Sequence, residues 1–398
     1  MKRDHIIIIV VLLVAMIWRA PVVGVDPRTG AANIDIRLMF ENAFVWATLA
    51  ALAYFIATRV NLWFGLFLVL ASFSAWFPVN SEHSEKAHMM VLYGVIWFFL
   101  CVQFLNTKKA RGRILNTICV IALINVLMLF MQGFINFDPI HNPIAPTWAS
   151  GGGWDRVPNV GLMDHQNSVS AMLAFSWVAF VRKGWIWCLI PVTVGFVLAK
   201  TFAGPLAVAI SIPFSKRLYV DAFPDFILKF KDKLPKGRFL VPLLCLMALY
   251  GYYLKVDKPD TPWRYRTLEV GTTLLKQHWI FGSGIGHWQD VFASSKISNA
   301  ITGYIGKRKE FMAQAHNDPF QMFFEMGIGS VIILFGYLIS IFRRYRKAAL
   351  RPMIAFVIVA IDSMAFFPFH IALLGMLALT WMAILEKNLK PVRPCFVS

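Results

Sequence analysis

Apolar runs recur along the whole chain, separated by short polar or basic loops. Most are long enough, or nearly so, to cross a bilayer as a helix. They predict about twelve membrane spans, near 5–25, 39–57, 60–77, 88–106, 114–137, 167–181, 184–200, 201–214, 239–254, 319–342, 352–368 and 370–386. The runs between 167 and 214 are short and need help from their flanks. Three larger polar segments interrupt the pattern: 26–38, 138–166 and 255–318. The second carries Pro139, Pro143, Pro146, Gly151 to Gly153 and Pro158, a composition that reads as irregular loop. The third, at roughly sixty residues, is too long for a mere connector. Inside it, Thr267 to His278 has helical spacing, with Leu268, Val270, Leu274 and Leu275 on one face. That predicts a helix lying on the membrane or over a cavity. Trp263, Trp279 and Trp288 suit an interfacial aromatic belt.

The expected fold class is therefore all-α, a single integral membrane domain over 1–398, with 255–318 as a large outer loop carrying short helices. Composition agrees. Hydrophobic residues make up 58% of the chain and charged residues only 15%, too little charge for a soluble protein of 398 residues. The net charge of +18 raises the question of nucleic acid, but the basic residues sit in short loops beside apolar runs, as topology signals do. With the N-terminus in the cytoplasm, about 24 of the 39 basic residues fall on the cytoplasmic side, and both termini lie inside. Met1 to His5 followed by Ile6 to Trp18 reads as an uncleaved first helix, because no small-x-small cleavage site follows it cleanly. The five cysteines are scattered, four of them in apolar runs, so neither disulfides nor zinc are expected.

The chemistry gathers on the outer face. In Gln314 to Gly327, a polar, titratable stretch stops abruptly and a long apolar segment begins. Asp318 is a suitable helix N-cap, Pro319 suits the first helical position, and Gln321 completes a capping box, so a helix is expected to run from there through Ile341. His316 then lies just outside the mouth of a bilayer-length helix, where it can exchange a proton near neutral pH or simply anchor the chain. Arg37, Arg156, Arg264, Arg266 and Lys276 stay on the outer side against the topological preference. Arginines in an outward cavity suit a phosphate or pyrophosphate; alternatively they snorkel or pair with Asp155, Asp260, Glu269 or Asp290.

Other features are weaker. Gly282-Ser283-Gly284-Ile285-Gly286 resembles a phosphate-cradling loop but follows no predicted strand, and reads as a flexible turn. Glu82, His83, Glu85 and His88 read as a solvated loop, because their spacing does not place two histidines on one helical face. Glu325 and Asp362 fall within or near spans, where a carboxylate costs about 2.5–3.5 kcal/mol at a helix centre and is a functional suspect by default. Glu325 has the alternative of a hydrogen bond inside the bundle. No Ser-His-Asp arrangement, P-loop or Asp-x-Asp metal pair is present.

The pair His316-Asn317, nine residues, then Gly327-Ile328-Gly329, resembles the signature of bacterial O-antigen ligases and of the wider O-antigen ligase/polymerase superfamily. Arg266 through Gly286 is similar to that family's arginine-to-glycine-rich segment, and Gly161 to Asn167 more loosely to its glycine-to-Pro-Asn run. Three positions depart from the pattern. Ser330 stands for a glycine and Gln166 for a proline, and Phe202 or Lys200 stands near a usual arginine, which leaves one phosphate-binding role unassigned.

The resemblance implies a lipid-dependent glycosyltransferase of the bacterial inner (cytoplasmic) membrane, its active site facing the periplasm. The donor would be O-antigen on undecaprenyl pyrophosphate and the acceptor a sugar hydroxyl of lipid A–core. His316 would be the base and Arg266 would stabilise the leaving pyrophosphate. Arg264, Arg156, Arg37, Lys276, Asn317 and Gln321 would bind substrate. Neither metal nor other cofactor is implied, since the pyrophosphate donor is already activated, and attack in one step favours inversion. The alternatives are an O-antigen polymerase, a protein O-oligosaccharyltransferase and, from another class, a lipid-linked glycan transporter.

Overall fold

The computed structural model describes residues 61–74, 82–135, 161–163, 165–182, 184–201, 203–222, 260–294, 315, 317–364, 369 and 371–390. The fold is all-α; no strand occurs among the described residues. The predicted spans 5–25, 39–57 and 239–254 lie outside the described residues.

The helices are α1 Leu62–Ser74, α2 Glu82–Phe104, α3 Lys108–Phe130, α4 Gln166–Phe180, α5 Leu189–Ala199, α6 Ala203–Ala222, α7 Asp260–His278, α8 Trp288–Ser294, α9 Asp318–Met326, α10 Ile328–Arg344, α11 Leu350–Ser363 and α12 Ala372–Asn388. A π-helical turn, Met131–Ile135, extends α3. The segment Lys108–Phe134 is long and apolar enough to cross a membrane; Tyr93–Phe104, Ile186–Ala199 and Ala203–Ile212 are apolar but shorter.

Helix α4 is the axis of the bundle. Residues 168–176 and 178–180 are all buried, and α3, α5, α6, α11 and α12 pack around them. Its small residues Ser168, Ser170, Ala171, Ala174 and Ala179 let neighbouring backbones approach closely. The buried indole of Trp381 donates to the Phe175 carbonyl at 2.8 Å and ties α12 to that axis. On the far side of the bundle, α10 packs on α1. There Arg344 makes a two-pronged contact with Glu386 (2.9 and 3.0 Å), and Asn61 donates to the same carboxylate at 3.1 Å. This buried pair joins α1, α10 and α12.

Helix α10 turns Ile332, Phe335, Ile339 and Phe342 outward at helical spacing while Ser330, Gly336, Tyr337 and Ile341 face inward. An apolar stripe on the outer side is a liability in water and the ordinary solvent-facing surface in lipid.

The predicted single helix from 319 to 342 is broken. Gly327 has φ +69°, so α9 and α10 are separate helices meeting at that residue. The hydropathy run continues across the break, which is why its pattern predicts one span. The stretch 82–88 forms the start of α2 rather than a solvated loop.

Helices α7, α8 and α9 form a second, smaller cluster. Val270, Leu274 and Leu275 of α7 meet Trp288 and Phe292 of α8 and Phe324 of α9. The predicted apolar face of α7 is observed, except that Leu268 is only half-buried. Trp288 is not an interfacial belt residue. It is 0% exposed, edge-on to Phe320 and Phe324, because α8 folds it under the cluster. Trp279 is exposed, with Ile280 and Phe281 beside it.

Candidate functional site

The entrance to α9 is built from short polar side chains. Asn317 is in an extended conformation, and its side chain accepts from the Phe320 amide at 2.9 Å. Asn317, not Asp318, is therefore the N-cap. The Asp318 carboxylate instead reaches across and accepts from the Phe369 amide at 3.1 Å, while its charge suits the helix N-terminus. Nor does Gln321 close a capping box with Asp318. Its Oε1 accepts from the Ala315 amide at 2.9 Å, and its Nε2 donates to Glu325 at 2.9 Å. Glu325 is thus held within the bundle interior, as one of its two readings had it.

These bonds have a consequence for position 316. Ala315 is held by Gln321 on one side, and Asn317 is held by its own helix on the other. Asn317 also donates to the Met364 carbonyl at 3.0 Å, which joins the mouth of α9 to the C-terminal end of α11. The residue between Ala315 and Asn317 is bracketed by two anchored neighbours.

Asp362 lies in the last turn of α11, two residues before Met364. It is 1% exposed, and among the described residues neither carboxylate oxygen has a hydrogen-bond partner. Asp318 lies within electrostatic reach of it. A buried carboxylate without a partner is costly, and native structures rarely keep one without a use.

The glycine-rich turn is not an anion cradle. Gly282 N donates to His278, Ser283 N to the Phe324 carbonyl (3.0 Å) and Gly284 N to the Glu325 carbonyl (2.9 Å). The Ser283 and Gly284 amides satisfy open carbonyls at the end of α9 and the Gly282 amide one at the end of α7, so these three are not available to phosphate. Nor is it a free turn, since residues 282–284 are hydrogen-bonded to α7 and α9. His278, which precedes it, stacks obliquely on Phe324 at 5.7 Å. Burial holds its imidazole below the ordinary histidine range, partly opposed by a hydrogen bond with Gly282.

A further polar knot lies where α3 meets the start of α4. Gln132, within the π-helical turn, exchanges two hydrogen bonds with the backbone of Gly161 (3.0 and 2.8 Å), and Asn125 accepts from the Leu162 amide at 2.9 Å. His165 caps α4 by accepting from the Asn167 amide at 3.1 Å. Nothing in a linear reading of α3 singles out Asn125 or Gln132, because their partners lie roughly thirty residues away.

Of the predicted site residues, Asn317 and Gln321 form one connected entrance with Asp318, to which Asp362 adds a buried carboxylate. Both are bound to protein groups, so each supports the site's shape. Lys276 is exposed in the last turn of α7. Arg264 and Arg266 lie on α7, with side chains outside the described residues, and His316, Arg156 and Arg37 lie outside them altogether. No group of three or more metal-binding side chains occurs among the described residues.

Compared with known proteins, the chain matches no family model and no curated protein sequence.

Proposed function

We propose that the chain is a membrane-embedded glycosyltransferase that moves O-antigen from undecaprenyl pyrophosphate to a sugar hydroxyl of lipid A–core, working at the outer face of the bacterial inner membrane. About twelve spans carry it, including those outside the described helices. The observation that carries the reading is the bracketing of position 316. Gln321 holds Ala315, and Asn317 bridges to Met364, so both chain neighbours of position 316 are anchored. A base that must meet a hydroxyl within hydrogen-bond reach benefits from such bracing. The outward apolar stripe of α10 and the span-length Lys108–Phe134 support a lipid setting.

In the proposed reaction the acceptor oxygen attacks the anomeric carbon and its proton passes to His316. The bond from that carbon to the pyrophosphate breaks with its electron pair, and the configuration inverts. Arg266 and Arg264 on α7 neutralise the departing charge.

The lipopolysaccharide of a deletion strain tests this reading. Loss of the long-chain ladder with accumulation of long undecaprenyl-linked glycan is the expected result. Accumulation of single repeat units would instead mean a polymerase, and an unchanged ladder would mean neither.

A further inference from the structure

Three basic segments converge at the end of the bundle opposite the candidate site. They are 107–113 at the start of α3, 343–347 across the end of α10, and 386–390 at the end of α12. Asn388 is their meeting point. Arg111 donates to its side-chain oxygen at 2.9 Å, and Arg346 donates to its carbonyl at 2.5 Å and to that of Lys387 at 3.4 Å. The Asn388 amide group is itself fixed on the Ile384 carbonyl at 2.6 Å, and the Lys390 amide on that of Arg344 at 2.9 Å. Two guanidinium groups are thus gathered around one asparagine, with Lys387 within electrostatic reach of Arg111.

The one carboxylate in these three segments, Glu386, is already held by Arg344. Like charges so gathered repel. Burial, and then the charge of Arg111, hold Lys387 below the ordinary lysine range. A topology signal needs basic residues in a loop; it does not need them packed together around a common partner. Such packing suits an anion that supplies the missing charge. Exposed apolar side chains adjoin these segments along the chain: Phe342 (70% exposed) lies four residues before Arg346, and Phe104 (61%) ends α2 four residues before Lys108. Cations above an apolar flank fit an amphiphile better than a free ion.

We propose that this basic cluster binds the phosphodiester headgroup of an anionic phospholipid, with Arg111 and Arg346 on its oxygens and the acyl chains against Phe342 and Phe104. The proposal rests on the reading that the chain spans a bilayer, and is independent of glycan transfer.

The test uses the full-length purified protein, delipidated in mild detergent and offered mixed phosphatidylcholine and phosphatidylglycerol. Retained lipid is read by native mass spectrometry. Wild type is expected to prefer phosphatidylglycerol, and Arg111→Gln/Arg346→Gln to lose about 25-fold of that preference, about fivefold per basic residue. Because both arginines also hold Asn388, the pair Lys347→Gln/Lys390→Gln, on exposed side chains, provides a second arm. It should lower the preference in the same direction without changing the unfolding temperature in phosphatidylcholine. Equal retention of the two lipids by wild type overturns the proposal, and so does undiminished preference in both double variants. Inorganic phosphate raising the unfolding temperature as much as phosphatidylglycerol would overturn the lipid as its source. No donor or acceptor glycan is present, so failure here leaves the transfer reaction untouched. Failure of the protein to enter vesicles would count against the membrane reading itself.

Discussion

Gly282 and Gly327 lie backbone against backbone: a Cβ on Gly327 would sit 2.1 Å from the Ile280 carbonyl oxygen and 2.8 Å from the Gly282 nitrogen. A Cβ on Gly282 would sit 2.1 Å from the Glu325 carbonyl oxygen. Both glycines have positive φ, +79° and +69°, and Ile328 donates to the Trp279 carbonyl at 2.8 Å across the same seam. The kink between α9 and α10 and the turn after α7 are therefore one structural unit.

Gly327→Ala is expected to break that unit. At φ +69°, ψ −168° the backbone lies in a region essentially reserved for glycine, which costs an L-residue about 1–3 kcal/mol, and the obstructing atoms are backbone, which cannot swing aside. Proteolytic protection of residues 278–286 should fall along with the unfolding temperature. Wild-type protection in Gly327→Ala would show that the seam is loose.

The Arg344–Glu386 pair offers a second test. Removing one partner of a buried pair costs about 3–5 kcal/mol, while replacing both with apolar residues is far milder. Glu386→Leu should therefore destabilise more than Arg344→Met/Glu386→Leu in thermal unfolding. Equal losses would show that the two side chains contribute by packing alone.

Parts of this arrangement were legible in the chain and parts were not. The all-helical class and the inward face of α7 follow from spacing, since Val270, Leu274 and Leu275 repeat at helical intervals. The sequence pattern places the cap one residue late because Asn317 and Asp318 are both good caps, and only the partners Phe320 and Phe369 separate their roles. Trp288 reads as a belt residue until the fold brings Phe320 and Phe324 against it. Asp362 stood out as an intramembrane carboxylate, but its orphaned oxygens and its nearness to Asp318 depend on tertiary packing.

The pH response of the α7–α9 cluster follows from His278. Its folded pKa is depressed by burial, so the unfolded chain takes up a proton first, near the unperturbed value of about 6.5. Stability is present above that value and is lost as pH falls through the window below it. Protection factors over 267–278, corrected for the intrinsic pH dependence of amide exchange, should fall as pH drops below about 6.5, and His278→Gln should flatten the response. Protection that is equally pH-sensitive in the variant would assign the effect elsewhere.

Asn317→Asp separates two jobs of one side chain. The carboxylate keeps the cap on Phe320, while the donor to Met364 is lost and an unsatisfied carbonyl costs about 1–3 kcal/mol. Helix α9 should persist, and glycan transfer should fall about tenfold or more if the bridge holds position 316 in place. Unchanged transfer would show that the link between α9 and α11 is not needed for the reaction. Asn317→Ala, which also loses the cap, should cost about 1 kcal/mol more in stability.

The most direct measurement compares His316→Ala with wild type at matched membrane abundance. Purified protein, undecaprenyl-pyrophosphate-linked glycan, lipid A–core acceptor and excess chelator are combined, and both donor binding and product are followed. The account predicts that wild type forms product despite the chelator, whereas His316→Ala still binds donor but transfers about 10²–10⁴-fold more slowly, the usual contribution of a general base. Near-normal transfer by His316→Ala would contradict it, and would remove the main reason for placing the chemistry at the mouth of α9.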